Sequence, residues 1–233
     1  MEKLNQADAS APQVEPTKSN NYQNLDDFIQ EASIALTNAS DPDILPLLNR
    51  RGYTLDIINS KLNEITVLKE LVAKQTKEYG EQYEATKDYA AGVALLHTDY
   101  IDNLIIARVV FKDNVAAKTT LGLKGSRKRA ESSYCHQAEL FYSGILNNPS
   151  YKLAVAERGI TEEELITGKE GYEKLTLLAA KKTKETGEAQ QATANRDIAI
   201  DSFNEWYSNF KKIAKVALSK TPQLTKKLGW KEL

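Results

Sequence analysis

The sequence predicts an all-α fold, a tandem duplicated antiparallel helical bundle, and three observations carry that expectation. Lys, Glu, Ala, Leu and Gln dominate the chain, and these residues lose least on entering a helix. Apolar residues recur every three or four positions over long stretches, the spacing that lines one face of a helix. The chain also matches itself, without a gap, at an offset of 107, and many of the matching residues are ones that start or stop helices.

Taken in order, residues 1–22 are rich in Ser, Pro, Asn and Gln and read as a flexible tail. They show no apolar run after a basic start, so they do not read as a secretory signal. Residues 23–123 form the first helical repeat, 124–131 a basic linker and 132–233 the second repeat. The offset pairs Gln30 with Gln137, Pro42 with Pro149, Arg51-Gly52 with Arg158-Gly159 and Thr54 with Thr161. It then pairs Thr76-Lys77-Glu78 with Thr183-Lys184-Glu185, Gly80-Glu81 with Gly187-Glu188, Tyr100 with Tyr207 and Leu121-Gly122 with Leu228-Gly229. About twenty of roughly a hundred positions are identical in one register, including a proline and several glycines that lysine-rich coincidence would not align.

Each repeat reads as about three helices, near 24–50, 54–79 and 82–113 in the first copy. Asp41-Pro42 and Asn148-Pro149 place a capping side chain before a proline. Gly52 and Gly159 stand where a left-handed residue ends a helix. Thr54 and Thr161 cap the next helix, and Thr161 with Glu164 makes a full capping box. Leu55, Ile58, Leu62, Ile65, Leu68 and Val72 form an amphipathic stripe, as do Val93, Leu96, Tyr100, Leu104, Ala107 and Phe111. Between the stripes, the polar stretches around Gly80 and Gly187 read as turns. The alternative is a continuous helix of about sixty residues per copy, roughly 90 Å at 1.5 Å per residue, because Ala, Gln, Glu and Lys surround each glycine.

Composition and motifs exclude much chemistry. A single cysteine, Cys135, leaves no intramolecular disulfide and no multi-cysteine zinc site. The two histidines, His97 and His136, lack the Glu-x-x-His spacing of bundle metal centres. His97 reads as a hydrogen-bonded residue at the edge of the core. Cys135 and His136 are adjacent on a helix and so point about 100° apart, and Cys135 reads as a small buried apolar residue. There is no phosphate-binding glycine loop and no nucleophile elbow. No catalytic, cofactor-binding or metal-binding residue is expected, and no cofactor.

A net charge of -1 supplies no global field for nucleic acid or anionic membranes. Lys211, Lys212, Lys215 and Lys220 with Trp206, Tyr207 and Phe210 read as a core stripe edged by lysine rather than a base-stacking surface. The candidate partner-binding residues are the linker cluster Lys124, Arg127, Lys128 and Arg129, and the tyrosines Tyr79, Tyr83 and Tyr89. The tyrosine counterparts in the second copy, Thr186, Gln190 and Arg196, are polar. The expected function is therefore a non-enzymatic structural or protein-interaction module, with another protein as partner and a monomer or homodimer as its state. The alternatives are a membrane-active, pore-forming-like helical protein and a carrier of a small apolar ligand. The most apolar stretch, Tyr89 to Phe111, is interrupted by His97, Asp99, Asp102 and Asn103, too polar for a spanning helix. Asp99 and Asp102, read as buried, count against membrane insertion. The expected location is cytoplasmic, with export by a route that uses no signal peptide left open.

The segment Ile213-Ala-Lys-Val-Ala-Leu218 followed by Pro222-Gln-Leu-Thr-Lys-Lys-Leu-Gly229, together with the helix start Arg158-Gly-Ile-Thr161, resembles the module ends of uncharacterised bacterial tandem helical-bundle proteins. Copy one departs from the pattern with Val115 where Pro222 stands. The resemblance implies the duplicated helical architecture and brings no activity, cofactor or site with it.

Overall fold

The computed structural model describes residues 25–125 and 131–230, and every regular element among them is a helix. The expected tail, 1–22, lies outside the described residues, as do 126–130 of the linker. In chain order the helices are α1 (Leu25–Asn38), α2 (Leu45–Asn49), α3 (Leu55–Val110), α4 (Val115–Thr120), α5 (Glu131–Leu146), α6 (Pro149–Ala156), α7 (Glu162–Ala217) and α8 (Pro222–Lys227). The duplication is visible in the boundaries themselves: α7 begins and ends 107 residues after α3, and α8 does the same relative to α4.

The turns expected at Gly80 and Gly187 do not form, and with them goes the division into helices at 54–79 and 82–113. The continuous alternative holds: α3 and α7 each run for 56 residues, about 84 Å at 1.5 Å per residue. A lone glycine costs a helix about 1 kcal/mol, and the strong helix formers on both sides outweigh it. Neither glycine takes a left-handed φ. The expected first helix, 24–50, breaks in two instead. Asp41 turns its carboxylate onto the backbone N–H of Asp43 (2.8 Å), so α2 starts only at Leu45. In the second copy Asn148 does cap, accepting from the N–H groups of Ser150 (3.0 Å) and Tyr151 (3.2 Å) with Pro149 behind it.

Other local expectations hold. Thr161 and Glu164 make the reciprocal pair, with the Glu164 N–H donating to Thr161 Oγ1 (3.2 Å) and the Thr161 N–H to Glu164 Oε2 (2.8 Å). Gly52 and Gly159 adopt φ of 86° and 90°, the left-handed region that side chains resist.

Two compact units emerge, and each takes elements from both repeats. Among the described residues, unit 1 holds α1, α2, α3 as far as Glu70, α7 from Ala199 onward, and α8. Unit 2 holds the rest of α3 and α7 with α4, α5 and α6. In unit 1 the apolar face of α1, Ile29, Ala32, Ala35 and Leu36, is buried. Phe28 beside it meets the rings of Phe203 (6.0 Å) and Tyr207 (5.8 Å) from α7. Trp230, just beyond α8, closes this core by donating its indole N–H to the Tyr207 hydroxyl (3.0 Å). In unit 2 α3 and α7 lie antiparallel: Gln75 accepts a hydrogen bond from Arg196, and a Cβ on Gly92 would touch Leu175 and Leu178. α5 packs on both through Ala138, Phe141, Tyr142 and Ile145, all buried in one cluster with Tyr100, Leu104 and Tyr172.

Candidate functional site

His97 and a group of tyrosines form one hydrogen-bonded, aromatic cluster in unit 2. His97 shares a hydrogen bond through Nδ1 with the Tyr134 hydroxyl (3.1 Å), and that hydroxyl pairs in turn with Tyr172 (2.8 Å). The rings of Tyr134, Phe141, Tyr142 and Tyr172 surround Tyr100 at centroid distances of 5.5 to 6.0 Å. Burial pushes the Tyr142 phenol up to about 12 and raises that of Tyr172 further, where the hydrogen bond to Tyr134 adds to the effect. Such phenols stay protonated at neutral pH. His97 is thus a hydrogen-bonded residue at the core edge, as its position predicted.

Cys135 is buried, while His136 points to solvent beside Glu139 (3.8 Å). With Thr176, Ala179, Ala180 and Thr183 they line an open groove of about 460 Å³ between α5 and α7.

At the middle of the long helices, equivalent residues of the two repeats meet. Lys77 pairs with Glu81 and, 107 residues on, Lys184 pairs with Glu188, each at 3.1 Å. Carboxylate oxygens of Glu78, Glu185 and Glu188 come within 4.8 Å of one another. Lys74, Lys77 and Lys184 line the same groove, and Lys184 also reaches Glu185 at 3.5 Å. The Glu81 hydrogen bond holds the Lys77 ammonium above its usual pKa, and the Glu188 hydrogen bond does the same for Lys184. Lysines thus answer the acidic trio, within the stretch where Thr76-Lys77-Glu78 and Gly80-Glu81 recur as Thr183-Lys184-Glu185 and Gly187-Glu188.

The tyrosines named from the sequence do not form one surface. Tyr83 is 72% exposed and Tyr79 is exposed, its hydroxyl accepting from Thr193 Oγ1 at 3.5 Å. Tyr89 is only 6% exposed, with Lys182 over its ring at 5.1 Å, so it belongs to the core and offers no contact area. Of the basic cluster, Lys124 is exposed, whereas Arg127, Lys128 and Arg129 lie outside the described residues. The aromatic residues near the C-terminus are core, as read: Tyr207 and Phe210 are buried, and Lys211 spans Glu31 (2.6 Å) and the Tyr207 ring (5.4 Å).

One surface escaped the sequence reading. Within Tyr89 to Phe111, residues three and four apart divide between two opposite faces of α3. Tyr89, Tyr100, Leu104 and Ala107 go inward. Leu95 (78% exposed), Ile105 (54%) and Val109 (63%) stand on the outward face with exposed Ala91, Thr98 and Asp102. Asp99 and Asp102 are exposed, correcting the expectation that they are buried. The signal lay in the register: apolar residues at 95, 105 and 109 fall off the stripe that 93, 96, 100, 104, 107 and 111 define. On α7 the equivalents of this face are Ile198, Ser202, Glu205, Asn209, Lys212 and Val216: apolar and exposed at its two ends (Ile198 70%, Val216 60%) and polar between them.

Among the described residues no helix is long and apolar enough to cross a membrane. No family model, curated protein or solved structure matches the chain.

Proposed function

We propose that the protein is a non-enzymatic interaction module, a duplicated helical scaffold that docks another protein. The observation behind this reading is the difference between the outward faces of two helices of equal length. Solvent-facing positions on a helix are ordinarily polar, and a row of large apolar side chains there weakens solubility without helping the fold. On α3 Leu95 and Ile105 stand where α7 carries Ser202 and Lys212, whereas Val109 is matched by exposed Val216 and exposed Ile198 takes the place of Ala91. A covering partner supplies the reason for keeping the α3 row. His97, Tyr134 and Tyr172 support the same reading, since their polar atoms are engaged with one another in the packed interior.

The test compares two variants as bait. Leu95→Glu with Ile105→Glu alters the α3 face, and Ser202→Glu with Lys212→Glu alters the α7 face. Both sets are solvent-exposed, so circular dichroism and thermal melts should match the parent. A specific protein retained by the parent and the α7 variant, and lost from the α3 variant, is the expected result. Identical retention by all three would remove the α3 face from consideration.

A further inference from the structure

The acidic trio at the helix centre is answered by lysines, and the groove beside Cys135 has nothing in the structure to define an occupant. The outward face of α3 is different, because its charge pattern specifies what can cover it. Leu95 and Val109 are fourteen residues apart, about 21 Å along the helix, with Asp102 between Leu95 and the Ile105/Val109 pair. From Ala91 to Val109 the exposed charged side chains are Asp99 and Asp102. Arg108 does not offset them, since its guanidinium donates to the carbonyls of Leu123 (3.1 Å) and Gly125 (2.8 Å). Neither aspartate has a cation within ion-pair distance among the described residues. On the neighbouring helix α7, the exposed charged residues beside the contact points Gly171 and Leu175 are Glu170, Glu173 and Lys174, so the one lysine there stands among glutamates.

We propose that this face docks a cationic amphipathic helix: a partner segment with apolar side chains about four turns apart and a lysine or arginine between them, seated at Asp102. The inference rests on the interaction-module reading and deepens it. An apolar partner without the cation would bury Asp102 unpaired, and desolvating a lone carboxylate is costly. A lipid surface would impose the same penalty at the middle of the stripe. A second copy of the chain, paired about the centre of this face in either direction, would set Asp102 against Asp102, and directly opposed like charges repel. A cationic helix meets each requirement: apolar contact at both ends, charge pairing in the middle and a second cation site at Asp99 on the edge.

The test titrates the full-length protein with two designed 21-residue helical peptides by fluorescence anisotropy at low and physiological salt. The peptides share an apolar face and differ only in carrying Arg or Glu at its centre. The Arg peptide should bind at least tenfold more tightly than the Glu peptide, and Asp102→Lys should invert that order. Ile105→Glu should weaken the preferred peptide tenfold or more, with the fold unchanged by circular dichroism. If Ile105→Glu weakens both peptides while Asp102→Lys leaves their order unchanged, the cationic assignment is overturned and the docking face stands. Binding indifferent to Ile105→Glu, or no binding, overturns both. Co-sedimentation with phosphatidylcholine/phosphatidylserine vesicles that is lost in Leu95→Glu would assign the face to lipid and overturn the proposal.

Discussion

Positions 61 and 64 on α3 and their equivalents 168 and 171 on α7 lie about two turns into matching helices and solve opposite problems. Lys61 and Glu64 pair with each other in unit 1, and Lys61 lies over the Trp206 ring at 5.1 Å. In unit 2 the same two positions are glycines. A Cβ on Gly168 would fall inside the Tyr142 ring, and one on Gly171 inside the Leu96 side chain. The central tyrosines differ in the same sense. Tyr207 donates to Glu31 (3.2 Å) and accepts from Trp230, whereas Tyr100 is walled by four aromatic rings. Helix starts and stops were kept between the copies while the interior was refilled. Bulk supplied by Trp206 and Phe210 from α7 in one unit is supplied by Tyr142 and Phe141 from α5 in the other.

If both interiors are close-packed, emptying either should cost alike. Phe210→Ala in unit 1 and Phe141→Ala in unit 2 should each lower stability by about 3–5 kcal/mol in urea denaturation, the usual cost of deleting a buried phenylalanine. Tolerance of one change would show that its unit is loosely filled. The glycines sharpen the point. Gly168→Ala should destabilise by about 1–3 kcal/mol, because overpacking against Tyr142 outweighs the better helix propensity of alanine. Gly80→Ala, where no atom lies within 4 Å of the new Cβ, should stabilise by about 0.5–1 kcal/mol. The same substitution in the same kind of helix thus changes sign with its surroundings.

The smallest effect is electrostatic and belongs to unit 1. The Asp43 N–H, and after it Lys227 at 3.3 Å, hold the Asp41 carboxyl below its usual pKa. Asn148 stands at the equivalent position and does not titrate. A carboxyl depressed in the folded state contributes stability above its unfolded pKa, and that contribution is lost as pH falls through the folded value. NMR titration should place Asp41 below an ordinary aspartate, and Lys227→Met should return it only part of the way because the Asp43 N–H remains. Full return would mean the lysine, and not the turn, sets the shift.

What could be read from the sequence was what is local. The Thr161 and Glu164 box and the glycine stops at Gly52 and Gly159 depend on residues a few positions apart, and they form as expected. Gly80 was misread because a polar, glycine-centred stretch fits a turn as well as a long helix, and the strong helix formers on either side decide. Asp41 was misread because Asp43 offers a nearer N–H than the helix does. The roles of Gly168 and Gly171 depend on Tyr142 and Leu96, which arrive from distant parts of the chain. The exposed face of α3 was hidden within one apolar stretch whose two faces only three-dimensional packing separates.

The central claim is that the repeats are complementary halves, each compact unit needing helices from both. Inserting a specific protease site between Gly125 and Glu131, cleaving the folded protein and following the fragments by size-exclusion chromatography tests it most directly. The two fragments should co-elute as one particle and separate only when they unfold, with a midpoint that rises with concentration. Fragments that part under native conditions, each retaining a cooperative melt of its own, would contradict the claim and make each repeat a self-sufficient domain.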